Sequence, residues 1–206
     1  MLFDGLALFS FLIVLLLLKR LVNIYPSLLA SLIRWKESFN LEASVKLARD
    51  RDMLALAMVV PFCLVAFRFR LYPLDCLDVF SDNRQLGLYF AIFTAYVLLR
   101  SVAVWLFRPH KMPRKTYATG NRAAYSFFAV LALVLLAMGG IMDLVKADVD
   151  VITTAMLWVS AVIYLLYLIR KTQIFATSCT IFTAFLYLCA LELIPTGILI
   201  VPAVIF

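Results

Sequence analysis

Residues 174–206 read IFATSCTIFTAFLYLCALELIPTGILIVPAVIF. This is an apolar run of membrane length, interrupted by one charged residue, Glu192, with Pro195 three positions later. A carboxylate inside such a run is costly in hydrocarbon, so it faces protein or a water-filled cavity. The rest of the chain repeats the pattern. The 206 residues are 66% hydrophobic and only 15% charged, with mean hydropathy +1.03. Soluble domains are nearer half apolar and a quarter charged, and here the apolar excess comes in blocks of near-membrane length. The solvent for this fold is therefore a bilayer.

Outward from that stretch, the blocks predict six spans at about 2–18, 53–69, 86–107, 125–145, 151–169 and 174–194. Beyond Pro195–Thr196–Gly197, which reads as a break, a piece at 198–206 is too short to cross again and is expected to be re-entrant or to continue the sixth helix. The expectation is one all-α integral membrane domain over 1–206, with an amphipathic cytoplasmic segment after the first span. In that segment PSLLASLIRWKESF begins with Pro26, a good first-turn residue. It reads either as a helix lying on the membrane surface or as a hairpin arm packed on other loops. Asn40 is expected to cap the following helix, LEASVKLARDRD. Pro61 is expected to bend the second span. Ala91 and Ala95 form a small-xxx-small pair, and Gly139–Gly140 suits close packing or a kink.

Charge sets the orientation. With the N-terminus outside, the segments 19–52, 108–124 and 170–173 lie inside and hold fourteen of the 19 Lys and Arg residues. That is the bias of cytoplasmic loops, and it explains the net charge of +7 without invoking nucleic acid. Both termini are then extracytoplasmic. The four cysteines, Cys63, Cys76, Cys179 and Cys189, form no CxxC pair, which argues against a disulfide scaffold or zinc module. His110 is the sole histidine, excluding bis-histidine haem and a histidine-rich metal centre. No P-loop, dinucleotide, HExxH or G-x-S-x-G pattern occurs, and no cofactor is expected.

The last third, LYLIRKTQIFATSCTIFTAFLYLCALELIP, resembles the C-terminal signature of a multi-pass inner-membrane family of Bacteroidota known as domain of unknown function 4271. The matching positions are Tyr187, Leu188, Cys189, Leu191, Glu192 and Pro195, after a basic residue that follows the fifth span. The start, an apolar span followed by Lys19–Arg20, is also similar. The resemblance is specific over 164–195 and general elsewhere. It implies a bacterial inner membrane and a bundle of six to seven spans. It carries no activity and no catalytic residues. Members of that family carry a charged tail after the motif, whereas this chain stays apolar to Phe206.

Few polar residues remain to carry function. Counted from residue 174, Glu192 lies about 27 Å along its helix, near the outer boundary. It reads as a proton-binding carboxylate, a ligand for a cationic headgroup, or half of a bundle-locking ion pair with Arg68 or Arg70. Arg100 lies about two turns from the inner end of its span. It can snorkel or fork onto a phosphate, and at that depth it is not expected to meet Glu192. Asp143 sits near the end of the fourth span. Asp75, Asp78 and Asp82 have i, i+3, i+7 spacing that could hold a divalent ion on a helix, although Pro73 and the short loop favour a solvated turn. Arg108, Lys111, Arg114, Lys115 and Arg122, in a loop expected to be irregular, set topology or contact anionic lipid. Thr177, Thr180 and Thr183 line a path or bond their own helix. The leading expectation is a non-catalytic scaffold or assembly subunit whose partners are the bilayer and a membrane protein or a second copy. The alternatives are a small transporter or lipid-handling protein using Glu192 and Arg100, and a lipid-modifying enzyme.

Overall fold

A computed structural model describes residues 2–71, 82–107, 112–146 and 148–198, and among these every regular element is helical. The helices are α1 (Leu2–Ile33), α2 (Trp35–Ala43), α3 (Val45–Ala57), α4 (Val59–Arg68), α5 (Asp82–Leu106), α6 (Arg114–Val145), α7 (Val149–Ala176) and α8 (Ile181–Leu188). A π-helical turn, Cys189–Leu193, extends α8, and the helix continues so that Ile181–Ile198 forms one unit. Five of these units are long and apolar enough to cross a membrane: Gly5–Ile33, Arg84–Leu106, Arg114–Val145, Val149–Ala176 and Ile181–Ile198. The chain is an all-α bundle built for a bilayer.

The expected second span, 53–69, is divided between α3 and α4 by a turn at Met58. Pro61 explains the turn. It has no N–H for the carbonyl of Ala57, and its ring crowds that carbonyl, so α4 restarts at Val59 with Pro61 in its first turn. The three rings of Phe62, Phe93 and Phe128 meet at centroid distances of 5.3–5.6 Å and join α4, α5 and α6.

Several expected boundaries move. Lys19, Arg20 and Pro26 all lie inside α1, which runs unbroken to Ile33. Pro26 therefore starts no helix. The buried face of α1, with Ile24, Leu28 and Ser31, packs on the bundle and holds this stretch in line with the span. The cap of α3 is Ser44, which accepts from the Leu47 N–H at 3.5 Å, while Asn40 sits within α2 and donates to Glu37. Helix α6 begins at Arg114, so Arg114, Lys115 and Arg122 are helical and not in an irregular loop. Ala91 and Ala95 are exposed on α5.

The amphipathic segment is a packed arm. Trp35 and Phe39 of α2 join the cluster containing Tyr117, Ile174 and Phe175. Arg51 of α3, only 2% exposed, donates to Glu42 and to Asp52 (Nη2–Oδ1 2.7 Å), with its guanidinium 6.0 Å from the Tyr125 ring. Arg122 of α6 reaches the second oxygen of Glu42 at 2.9 Å. Two cations and two carboxylates thus clip α2 and α3 to α6 with no net charge.

Two glycines of α6 separate by their surroundings. A Cβ at Gly120 would overlap the fully buried ring of Phe175, whereas one at Gly140 would meet nothing within 4 Å. Gly120→Ala is expected to destabilise the protein by about 1–3 kcal/mol through overpacking. Gly140→Ala should be neutral or stabilising by up to about 1 kcal/mol through helix propensity. Thermal unfolding of the two detergent-solubilised variants checks the pair, and equal melting points would refute the packing argument.

Candidate functional site

Three helices bring the site together through local sequence rules. On α5, Tyr96 and Arg100 are four apart. On α7, Tyr164, Tyr167 and Lys171 have i, i+3, i+7 spacing. On the Ile181–Ile198 unit, Glu192 and Thr196 are four apart. Each set lies on one helical face.

The π turn presents Glu192. The Ile194 N–H bonds to the carbonyl of Cys189, five residues back, in place of the usual four. Pro195 supplies the cause. It cannot donate to the carbonyl of Leu191, and a widened turn relieves the clash of its ring with that carbonyl. The expected break at Pro195–Thr196–Gly197 is therefore a wide turn just before the proline, with helix on both sides. The carbonyl of Glu192 accepts from the Tyr164 hydroxyl at 3.4 Å.

The carboxylate lies in a closed polar tier. Arg100 Nε is 3.1 Å from both oxygens of Glu192, and its Nη2 is 2.9 Å from Oε1. Tyr167 donates its hydroxyl to Oε1 at 2.6 Å, and Lys171 Nζ donates to the same oxygen. Arg100 Nη2 also reaches the Tyr167 hydroxyl at 3.0 Å and the main-chain carbonyl of Asn121 on α6 at 3.3 Å. Glu192 is 1% exposed and Lys171 0%, whereas Arg100 keeps 14%. The Lys171 ammonium lies 5.8 Å from the Tyr167 ring centroid and 5.4 Å from that of Phe175, within range of cation–π attraction.

A second tier of hydroxyls stacks on the first. Thr196 Oγ1 accepts from Tyr164 at 2.9 Å and lies 3.4 Å from the Tyr96 hydroxyl. Tyr96 precedes Arg100 and Tyr164 precedes Tyr167 in sequence, whereas Thr196 follows Glu192. The last helix therefore runs antiparallel to α5 and α7, with one polar seam between the three.

This geometry overturns two expectations. Glu192 pairs with Arg100, which was expected to lie at another depth, and its ion pairs among the described residues involve neither Arg68 nor Arg70. The reason is the helix origin. Helix α7 runs to Ala176, and α8 begins only at Ile181, with Thr180 as its cap. Moving the origin seven residues takes about 10 Å off the depth of Glu192 and brings it level with Arg100. For the same reason Lys171 is no loop residue. It sits inside α7, while adjacent Arg170, about 100° around the helix, turns outward to the carbonyl of Leu32 and to Gln173.

The other candidates lie elsewhere. Arg68 is exposed at the end of α4, and Arg70 follows in a left-handed conformation (φ 46°). Asp143 is exposed near the end of α6. Asp75 and Asp78 fall outside the described residues and Asp82 opens α5, so the tri-aspartate face is not seen as a unit. Arg108 and Lys111 also fall outside the described residues, Arg114 and Lys115 are exposed on the first turn of α6, and Arg122 is engaged with Glu42. Thr177 bonds the carbonyl of Ile174, and Thr180 and Thr183 bond each other at 2.8 Å, so these threonines make local bonds at the helix ends. Sequence reasoning missed Lys171, Tyr167, Tyr164, Tyr96 and Thr196. Their signal was the helical spacing of tyrosines and lysine on α7, hidden by ending that span at residue 169.

No curated protein and no solved structure matches the chain. One family model does, over residues 5–201, nearly the whole length. The span-length helices and the buried Glu192 of the C-terminal signature thus sit within a match of that extent, and the chain belongs to the family described as domain of unknown function (DUF4271).

Proposed function

We propose that this protein is a non-catalytic subunit that scaffolds or completes an assembly in the bacterial inner membrane. The observation that carries this reading is the closure of Glu192. Both oxygens are partnered within the chain and the side chain is sealed, as in a lock holding α5, α7 and α8 in register. The loop charges support an orientation with both termini extracytoplasmic. The partners would be the bilayer and another membrane protein or a second copy. A second reading, a small transporter or lipid-handling protein, draws support from the two-tier polar seam, which holds Arg100 and Glu192 at one depth. A lipid-modifying role would rest on the Asp75–Asp78–Asp82 face, of which Asp75 and Asp78 lie outside the described residues.

The test is purification from the native membrane of the wild type and of a charge-swapped variant, Arg100→Glu with Glu192→Arg, carrying Lys171→Met so that no second cation faces the reversed pair. A lock needs the pair and not its polarity. The swapped protein should therefore keep membrane abundance within about twofold and retain the co-purifying proteins. Normal abundance and assembly with loss of the cellular phenotype would instead assign chemistry to the seam.

A further inference from the structure

The polar seam holds more positive than negative charge. Arg100 and Lys171 are both cationic side chains, and Glu192 is the one carboxylate that pairs with either of them among the described residues. The Arg51 clip, by contrast, balances two cations with two carboxylates. One surplus positive charge inside a membrane bundle is costly unless an anion meets it.

Two further observations place that anion. Arg100 spends Nε and Nη2 on Glu192, Tyr167 and the Asn121 carbonyl, but its Nη1 has no hydrogen-bond partner among the described residues, and 14% of its side chain stays exposed. Asn121, whose carbonyl touches Arg100, is itself only 9% exposed, yet neither Nδ2 nor Oδ1 of its side chain has a partner. Buried amides are nearly always hydrogen-bonded, so an unmatched one on the residue whose main-chain carbonyl meets Arg100 calls for a ligand. Guanidinium and amide N–H groups suit an acceptor with several oxygens, and a phosphodiester carries the single negative charge that matches the surplus.

We propose that Arg100 and Asn121, backed by the charge of Lys171, bind a phosphate-type oxyanion within the bundle, either free phosphate or the headgroup phosphate of a phospholipid. This goes beyond scaffolding, since a lock without a ligand would respond to neither source.

The experiment uses the full chain, delipidated in a maltoside detergent that contains no phosphate. The thermal midpoint is followed against inorganic phosphate, with chloride at equal ionic strength as control. In a second arm it is followed against phosphatidylglycerol in mixed micelles, with diacylglycerol as control. One arm should raise the midpoint saturably by several degrees, because a ligand that binds the folded state stabilises it by mass action. The arm that does so identifies the source. Asn121→Leu should raise the half-saturating concentration about tenfold, as expected for one lost hydrogen bond to a charged group. It should not lower the ligand-free midpoint, because it removes an unsatisfied amide. Lys171→Met, which leaves the Arg100–Glu192 pair neutral, should abolish the response. The proposal is overturned if neither anion shifts the wild type beyond its control, or if either variant responds as the wild type does.

Discussion

Glu192→Gln is expected to destabilise the bundle by about 3–5 kcal/mol. The carboxylate is the shared partner of Arg100 and Lys171, and its loss leaves two cations buried against a neutral amide. The amide can still accept from Arg100, but it cannot offset either charge. Melting of the solubilised protein and abundance in the membrane should fall together. The effect is asymmetric. Lys171→Met alone should cost little, because the remaining Arg100–Glu192 pair is neutral and a methionine stem fits between the Tyr167 and Phe175 rings. Adding Lys171→Met to Glu192→Gln should recover part of the loss, since one unpaired cation replaces two. A double-mutant cycle measures this coupling. Additive effects of the two substitutions would mean that Lys171 and Glu192 do not share one electrostatic site.

The second large effect falls at the other charged centre. Arg51→Met should cost about 3 kcal/mol and release the α2–α3 arm. Glu42 would keep only Arg122, whose side chain is 51% exposed and whose pairing is weakened by solvent. Hydrogen exchange should rise across 35–57 while α6 and α7 keep their protection. Arg49→Met, at an exposed position on the same helix, is the control and should stay within about 0.5 kcal/mol of the wild type. If exchange in 35–57 is unchanged by Arg51→Met, the arm is held by apolar contacts of Trp35, Phe39 and Leu41, and the ionic clip is incidental.

Both centres show how far the sequence could be read. The apolar blocks and their basic flanks were legible because hydropathy is a local property: a window of residues reveals whether a helix prefers lipid. Glu192 was legible as unusual for the same reason. Helix ends were less so. Lys19–Arg20 and Arg170–Lys171 look like loop punctuation, yet both pairs lie inside helices. A helix continues through charged residues when one points outward and the other finds a partner, and the partner of Lys171 is 21 residues away in sequence. The depth of Glu192 inherited that error, and with it the choice of Arg68 or Arg70 as its partner.

The sequence by itself determined that the chain is an all-α membrane bundle, that Glu192 needs a partner, and that Pro61 and Pro195 disturb their helices. These follow from hydrophobic burial, the expense of an unpaired charge and the missing proline N–H, none of which depends on distant residues. The tertiary structure alone decided that Arg100, Tyr167 and Lys171 are what Glu192 meets, and that the amphipathic segment docks on α6. Which faces meet depends on where each helix begins and on its rotation. A shift of a few residues, or one wide turn ahead of a proline, changes both by more than the length of a hydrogen bond.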